Sequence, residues 1–218
     1  ACYVPMDPTY PAHRLNHMIG DSRTTLIITT RKSSVKLLEE GDEENSLSSH
    51  QPRKLRMMVI DDLLPLETAW KEHNIDRSTP DSVAYIIYTS GSTGTPKACI
   101  IKHRSVLNVV RYFSKRLELK ASDKVWNLTS ISFDIMALEV FMPLIFGCQL
   151  MVCPACVAAN PVDLAHWINT EKPTVLQATP TMFSLIGEHV QSNNDMTILV
   201  GGEPLTSKVC RTLLTITP

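Results

Sequence analysis

The chain reads as an α/β protein made of mostly parallel sheets with flanking helices, and its pattern, its helix starts and its composition predict this. Apolar stretches of strand length alternate with helical patterns from one end of the 218 residues to the other. Helical patterns open with a proline directly after a capping residue, at Asn160-Pro161 and Thr179-Pro180. An apolar fraction of 44% and a charged fraction of 20% are those of a globular chain able to bury one ample core.

In chain order, the proline-rich entry Tyr3 to Pro11 leads into a helix over Tyr10–Ile19, followed by an apolar strand over Thr25–Thr29. Arg31 to Arg56 breaks the pattern: it is polar and contains Glu39-Glu40-Gly41-Asp42-Glu43-Glu44-Asn45. It predicts a short helix at Val35–Glu40 and a solvated loop over 41–54. A strand at Met57–Asp61 and a helix at Pro65–His73 come next, then the strongly apolar strand Ala84–Tyr88. Beyond it the amphipathic pattern of His103–Leu117 predicts a helix. Strands at Lys124–Thr129, Gln149–Cys153, Thr174–Ala178 and Thr197–Val200 then alternate with helices at Asp134–Phe146, Pro161–Thr170, Pro180–His189 and Leu205–Leu214.

A formal net charge of −1 without a dense Lys/Arg cluster argues against a general nucleic-acid binder. No apolar run reaches the roughly 18 residues that suggest a membrane span. The start, Ala1-Cys2-Tyr3-Val4-Pro5, has neither an initiator methionine nor a signal-peptide pattern, so the chain is expected to begin in mid-protein. The 6 cysteines include Cys153-Pro154-Ala155-Cys156, which has redox or zinc-pair spacing but no second pair to complete a tetrahedral site. Reduced thiols in a cytoplasmic protein are the expectation.

The most informative stretch is Tyr88-Thr89-Ser90-Gly91-Ser92-Thr93-Gly94-Thr95-Pro96-Lys97. Hydroxyls and flexible backbone N–H groups beside one cation are what a loop needs to wrap a polyphosphate. Gly91 and Gly94 let the backbone approach phosphate oxygens, and Lys97 adds a mobile positive charge. It is not a Walker A loop, because Pro96 precedes the lysine and Ala98 follows it. Nor does it contain the Gly-x-Gly-x-x-Gly of dinucleotide folds. A solvated linker is the plainer alternative, but the loop follows a buried-type strand and leads towards the His103 helix.

Other stretches carry chemistry of their own. In Ser132-Phe133-Asp134-Ile135-Met136-Ala137-Leu138-Glu139-Val140-Phe141, the local reading of Asp134 is a helix N-cap. In Val200-Gly201-Gly202-Glu203-Pro204-Leu205, paired glycines form either an ordinary tight turn or a surface where a flat ligand comes close to the backbone.

Together these stretches, with Tyr3-Val4-Pro5-Met6-Asp7-Pro8-Thr9-Tyr10-Pro11 and Arg14, resemble the signatures of the adenylate-forming superfamily. Its members are acyl-CoA ligases, luciferases and the adenylation domains of nonribosomal peptide synthetases, and the last fit best. The resemblance implies that Thr89, Ser90, Gly91, Ser92, Thr93 and Gly94 bind the phosphates of ATP, with Lys97 stabilising the departing pyrophosphate. It implies that Asp134 pairs with a substrate α-ammonium, a task that suits a buried carboxylate, and that Gly202 and Glu203 contact the nucleotide. The proline-rich entry is read as structural. Substrate-pocket positions fall at Asp134, Ile135, Leu138, Gln177, Leu199 and Gly201, a partial set similar to that of domains activating glycine or another small amino acid. Ala98 departs from the glycine common after the loop lysine.

On this resemblance, residues 1–218 are part of the N-terminal core of an adenylation domain, and the C-terminal subdomain is absent. The Tyr-Gly-Pro-Thr-Glu motif that helps hold Mg²⁺, the ribose-binding aspartate and the C-terminal lysine would lie outside this chain. The isolated piece is therefore expected to be inactive and poorly soluble. Phosphopantetheine on a carrier domain is the implied acceptor, with carrier and condensation domains as partners in the same polypeptide. An acyl- or aryl-CoA ligase of the same fold, a standalone amino-acid-activating enzyme and a non-catalytic nucleotide-binding module remain alternatives.

Overall fold

The computed structural model describes residues 2–33, 55–63, 77–90 and 95–217. The chain divides into two compact units, Ala1–Arg104 and Ser105–Pro218.

In the first unit, α1 (Ala12–Asp21) follows a turn closed by its own side chains. Asp7 Oδ1 accepts hydrogen bonds from Thr9 N at 2.9 Å and from Thr9 Oγ1 at 2.7 Å. Such Asx turns set the entry angle of a chain, and the Arg14 guanidinium lies 4.0 Å from the centre of the Tyr10 ring. β1 (Leu26–Thr29) and β2 (Arg56–Val59) pair in parallel, and a 3₁₀ turn, Ile60–Asp62, ends β2 earlier than the apolar pattern predicts. The expected helices Val35–Glu40 and Pro65–His73 and the loop over 41–54 lie wholly or largely outside the described residues.

β3 (Val83–Thr89) and β4 (Lys97–Lys102) form an antiparallel pair. β4 corrects the expectation that the Ser/Thr/Gly loop leads to the His103 helix without a strand between them, and it adds an antiparallel sheet to a chain read as mostly parallel. Tyr3 bridges to Tyr85, with Ile86 N donating to Tyr3 O at 3.0 Å, so the proline-rich entry is tied to β3. Leu15 and Met18 of α1 and Tyr85, Ile87 and Tyr88 of β3 are buried.

The second unit is a parallel sheet wound with helices. α2 (His103–Arg116) leads to β5 (Lys124–Asn127), then α3 (Ile135–Phe146), β6 (Gln149–Val152), the short α4 (Ala155–Ala158) and α5 (Pro161–Glu171). β7 (Val175–Ala178), α6 (Pro180–Ile186), β8 (Thr197–Val200) and α7 (Ser207–Ile216) complete it. The strand order is β6-β5-β7-β8, all parallel.

Successive strand residues point to opposite faces, and the core shows it. Val125 and Val175 pack with Val110 and Met142 in one cluster; their neighbours Trp126 and Leu176 pack with Leu164, Phe183 and Ile186 in another. Apolar side chains therefore cover both faces of the sheet, the usual state of parallel strands. The predicted caps are in place: Asn160 Oδ1 accepts from Val162 N at 3.0 Å and Thr179 Oγ1 from Met182 N at 3.2 Å. α6 stops at Ile186, short of the expected His189. Gly187 follows it, and a Cβ there would lie 2.5 Å from Thr212 Cγ2 on α7.

Candidate functional site

In the first unit the candidate phosphate-loop residues sit at the end of the β3–β4 hairpin where the chain turns from one strand to the other. Thr89 is the last residue of β3, Lys97 the first of β4, and the two are register partners. Thr89, Ser90 and Lys97 are exposed. Gly91, Ser92, Thr93 and Gly94, between them, lie outside the described residues. Ala98 sits within β4 opposite Tyr88 and is not among the positive-φ residues, so its methyl group costs nothing where glycine is common.

Helix α1 pins both stems of this loop. Tyr88 Oη donates to Asp21 Oδ2 at 2.7 Å. His17 Nε2 lies 3.2 Å from Pro96 O, which can only accept, so the ring nitrogen donates. The His17 ring also meets the Tyr88 ring edge-on, with centroids 6.3 Å apart. Burial first, and the Asp21 carboxylate second, raise the Tyr88 pKa above its ordinary value, which keeps the phenol a donor. Neither His17 nor Asp21 was singled out from the sequence, since their role depends on a contact far along the chain.

The second unit gathers the predicted substrate-pocket residues around the carboxyl ends of its strands. Gln177 is the penultimate residue of β7 and pairs with Leu199 of β8. A Cβ built on Gly201, just after β8, would lie 3.9 Å from Ile135 Cδ1 and 4.0 Å from Gln177 Nε2. Ile135, Gln177 and Gly201 therefore converge, and Gly201 leaves open the space that a side chain would fill. Leu138 and Leu199 lie one layer down, against Val110, Val125, Met142 and Val175.

Asp134 departs from both local expectations. It stands at the N-cap place of α3, yet its backbone is helical (φ −63°, ψ −30°) and its side chain makes no capping hydrogen bond. The carboxylate is exposed rather than buried. A helical φ/ψ aims the side chain away from the first-turn N–H groups that an extended capping residue would reach.

Gly202 has φ +85°, the left-handed region that favours glycine. Glu203 accepts hydrogen bonds from Thr181 N and Thr181 Oγ1 in the first turn of α6. The turn after β8 is thus tied to the turn after β7, and part of the Glu203 carboxylate is engaged within the protein.

The residue that sequence reasoning passed over is Glu139. It is only 2% exposed. Its Oε2 accepts from Asn127 Nδ2 at 2.7 Å and from the Leu128 and Thr129 backbone nitrogens, each at 3.0 Å. Its Oε1 lies 2.6 Å from Thr129 Oγ1. Burial pushes its pKa up, against the opposing effect of these hydrogen bonds. The signal was available: Glu139 is the one charged residue in Ile135–Phe146.

Among the described residues no group of three His, Cys, Asp or Glu stands close enough to hold a metal ion. All six cysteines are free, and burial, chiefly, pushes the Cys153 thiol up to about 11, opposite to the activated thiolate of a redox pair. No helix among the described residues is long and apolar enough to cross a membrane.

Comparison with known proteins agrees with this architecture. The chain is 33% identical over 217 residues to a dimodular nonribosomal peptide synthase of Bacillus subtilis (strain 168), covering 98% of the chain and 9% of that protein. It is 34% identical over 219 residues to syringomycin synthase SyrB1 of Pseudomonas syringae pv. syringae, covering 96% of the chain and 32% of the synthase. Among solved structures, holo-AB3403, a four-domain nonribosomal peptide synthetase bound to AMP and glycine, superposes with a TM-score of 0.73 at 28% identity. The match covers 100% of this chain and 15% of that one. The nonribosomal peptide synthetase FmoA3 shares the fold, with a TM-score of 0.80 at 23% identity, over 100% of this chain and 22% of its own. The chain spans less than a third of the length of SyrB1 and a smaller part of the others. The family model described as AMP-binding enzyme matches residues 1–218, and the chain belongs to that family.

Proposed function

We propose that, within its parent protein, this chain is part of the N-terminal core of an adenylation domain that activates an amino acid at the expense of ATP. The observation that carries the reading is Asp134: an exposed carboxylate, not engaged in capping its helix, on the element that brings Ile135 to Gln177 and Gly201. A carboxylate there suits a substrate with an α-ammonium group, which a fatty or aromatic acid lacks.

In the first step an oxygen of the substrate carboxylate attacks the α-phosphorus of ATP. The bond from that phosphorus to the bridging oxygen breaks, and pyrophosphate leaves with the bonding electrons. The protein must hold the reactants in line and offset charge on the leaving group. Thr89, Ser90 and the 91–94 stretch supply hydroxyls and backbone N–H groups for the phosphates, and Lys97 supplies the cation. The Gly202–Glu203 turn lies against the nucleotide. Mg²⁺ accompanying ATP would neutralise charge on its phosphates, and its main protein ligand is proposed to come from outside this chain.

In the second step the thiol of a carrier-bound phosphopantetheine attacks the acyl carbon of the adenylate. AMP leaves and the thiol proton passes to solvent. Carrier and condensation domains of the same polypeptide are the proposed partners, in the cytoplasm. The open space at Gly201, beside Ile135 and Gln177, supports a small substrate, as does the glycine bound by AB3403. The test is pyrophosphate exchange by the full-length protein over a panel of amino, fatty and aromatic acids. Exchange with small amino acids is expected; exchange with aromatic or fatty acids alone overturns the reading.

A further inference from the structure

Thr129 Oγ1 lies 2.6 Å from Glu139 Oε1 and 3.2 Å from Gln177 Oε1. A hydroxyl has one hydrogen, so it cannot donate to both oxygens. Two proton arrangements leave no pair of acceptors facing each other and give the hydroxyl hydrogen an acceptor within the trio. In the first, Glu139 carries a proton on Oε1 and donates it to Thr129 Oγ1, and the hydroxyl donates to Gln177 Oε1. The Gln177 amide nitrogen is then left beside Gly201, where the structure has it, 4.0 Å from the Cβ position. In the second, the carboxylate is ionised and takes the hydroxyl hydrogen. The Gln177 amide must then turn over to donate to Thr129, which leaves its oxygen beside Gly201. The state of the Glu139–Thr129 pair thereby dictates whether Gln177 offers the pocket a donor or an acceptor.

We infer that Glu139 and Thr129 are positioning residues, which fix through one shared hydroxyl the end of the Gln177 amide that meets the substrate. Burial favours the neutral acid of the first arrangement, against the three N–H donors that Oε2 receives, and the structure sets the Gln177 amide nitrogen beside Gly201 as that arrangement requires. Gln177 is 6% exposed, and among the described residues the only other hydrogen bond of its side chain is a long one, 3.4 Å from Nε2 to Ala178 O. The hydroxyl is therefore the main hold on the amide. Neither residue belongs to the pocket positions read from the sequence.

The inference rests on the amino-acid-activating reading, and one experiment separates the two. Pyrophosphate exchange by the full-length protein is measured across the acid panel for the wild type, Thr129→Val, Thr129→Ser, Gln177→Leu and the Thr129→Val/Gln177→Leu double variant. Loss of the hydroxyl is expected to raise the KM of the preferred acid about three- to tenfold, the worth of one hydrogen bond, while the KM of ATP holds. Serine should restore most of the loss. In the Gln177→Leu background the valine substitution should add nothing, since the group it orients is gone. Thr129→Ala repeats the test without a branched methyl group if the valine variant does not fold. A valine effect equal in both backgrounds, or one that raises the KM of acid and ATP together, overturns the inference and leaves the amino-acid reading intact. A wild type that exchanges with no amino acid overturns that reading instead, and the inference with it.

Discussion

Thr89 and Lys97 face each other as register partners at the loop end of an antiparallel hairpin, so the ends of the Ser/Thr/Gly loop are fixed side by side. The lysine of a polyphosphate loop has to return to the site where the loop began, and a strand pair does this with backbone hydrogen bonds alone. The Lys97 side chain is exposed and leaves from the same edge as the Thr89 hydroxyl.

The proposed role of Lys97, offsetting charge on departing pyrophosphate, predicts a large effect. In the full-length protein, Lys97→Ala is expected to lower amino-acid-dependent pyrophosphate exchange by about 100-fold or more, the usual cost of a group aimed at developing charge. Unchanged exchange would remove Lys97 from the chemistry.

The grip of α1 on the loop stems predicts a milder effect. His17→Ala removes the donor to Pro96 O and leaves unchanged the residues proposed to contact phosphate. One lost hydrogen bond is worth about 1 kcal/mol, so the KM for ATP should rise by about fivefold with a smaller change in kcat. Initial-rate kinetics with ATP varied at saturating amino acid tests this, and an unaltered KM contradicts it.

Glu139 makes stability depend on pH in a stated direction. Burial raises its pKa in the folded state above the ordinary 4.5, so between those values the folded protein holds more protons than the unfolded chain. Linkage then requires its contribution to be full below 4.5 and to be lost as pH rises through the folded value. Glu139→Gln cannot titrate, so its stability should gain on the wild type as pH climbs through that window. Denaturant unfolding at a series of pH values decides it, and parallel profiles contradict the assignment.

Much of the fold was legible because local signals and burial agree. Thr197–Val200 forms a strand over the residues its apolar run marks, and helices begin where Asn160 and Thr179 offer oxygens to the first turn. β4 was not legible. Its residues are mostly exposed, lysines bound it, and the loop before it is longer than the short turns that announce a hairpin. The convergence of Ile135, Gln177 and Gly201 was legible through resemblance to adenylation domains, whose proposed pocket positions led to these residues. Glu139 and His17 escaped for opposite reasons. The glutamate looked like one more residue of an apolar helix, and the histidine acquires its role only when Pro96, 79 positions away, folds back on it.

Asp134 is the group proposed to select an amino acid. The most direct test is pyrophosphate exchange by the full-length protein and its Asp134→Ala variant, with glycine, other small amino acids, and fatty and aromatic acids. The expected result is exchange with a small amino acid that the substitution abolishes. Exchange driven by a fatty or aromatic acid and indifferent to Asp134→Ala would contradict it and leave an acyl- or aryl-activating enzyme of the same family.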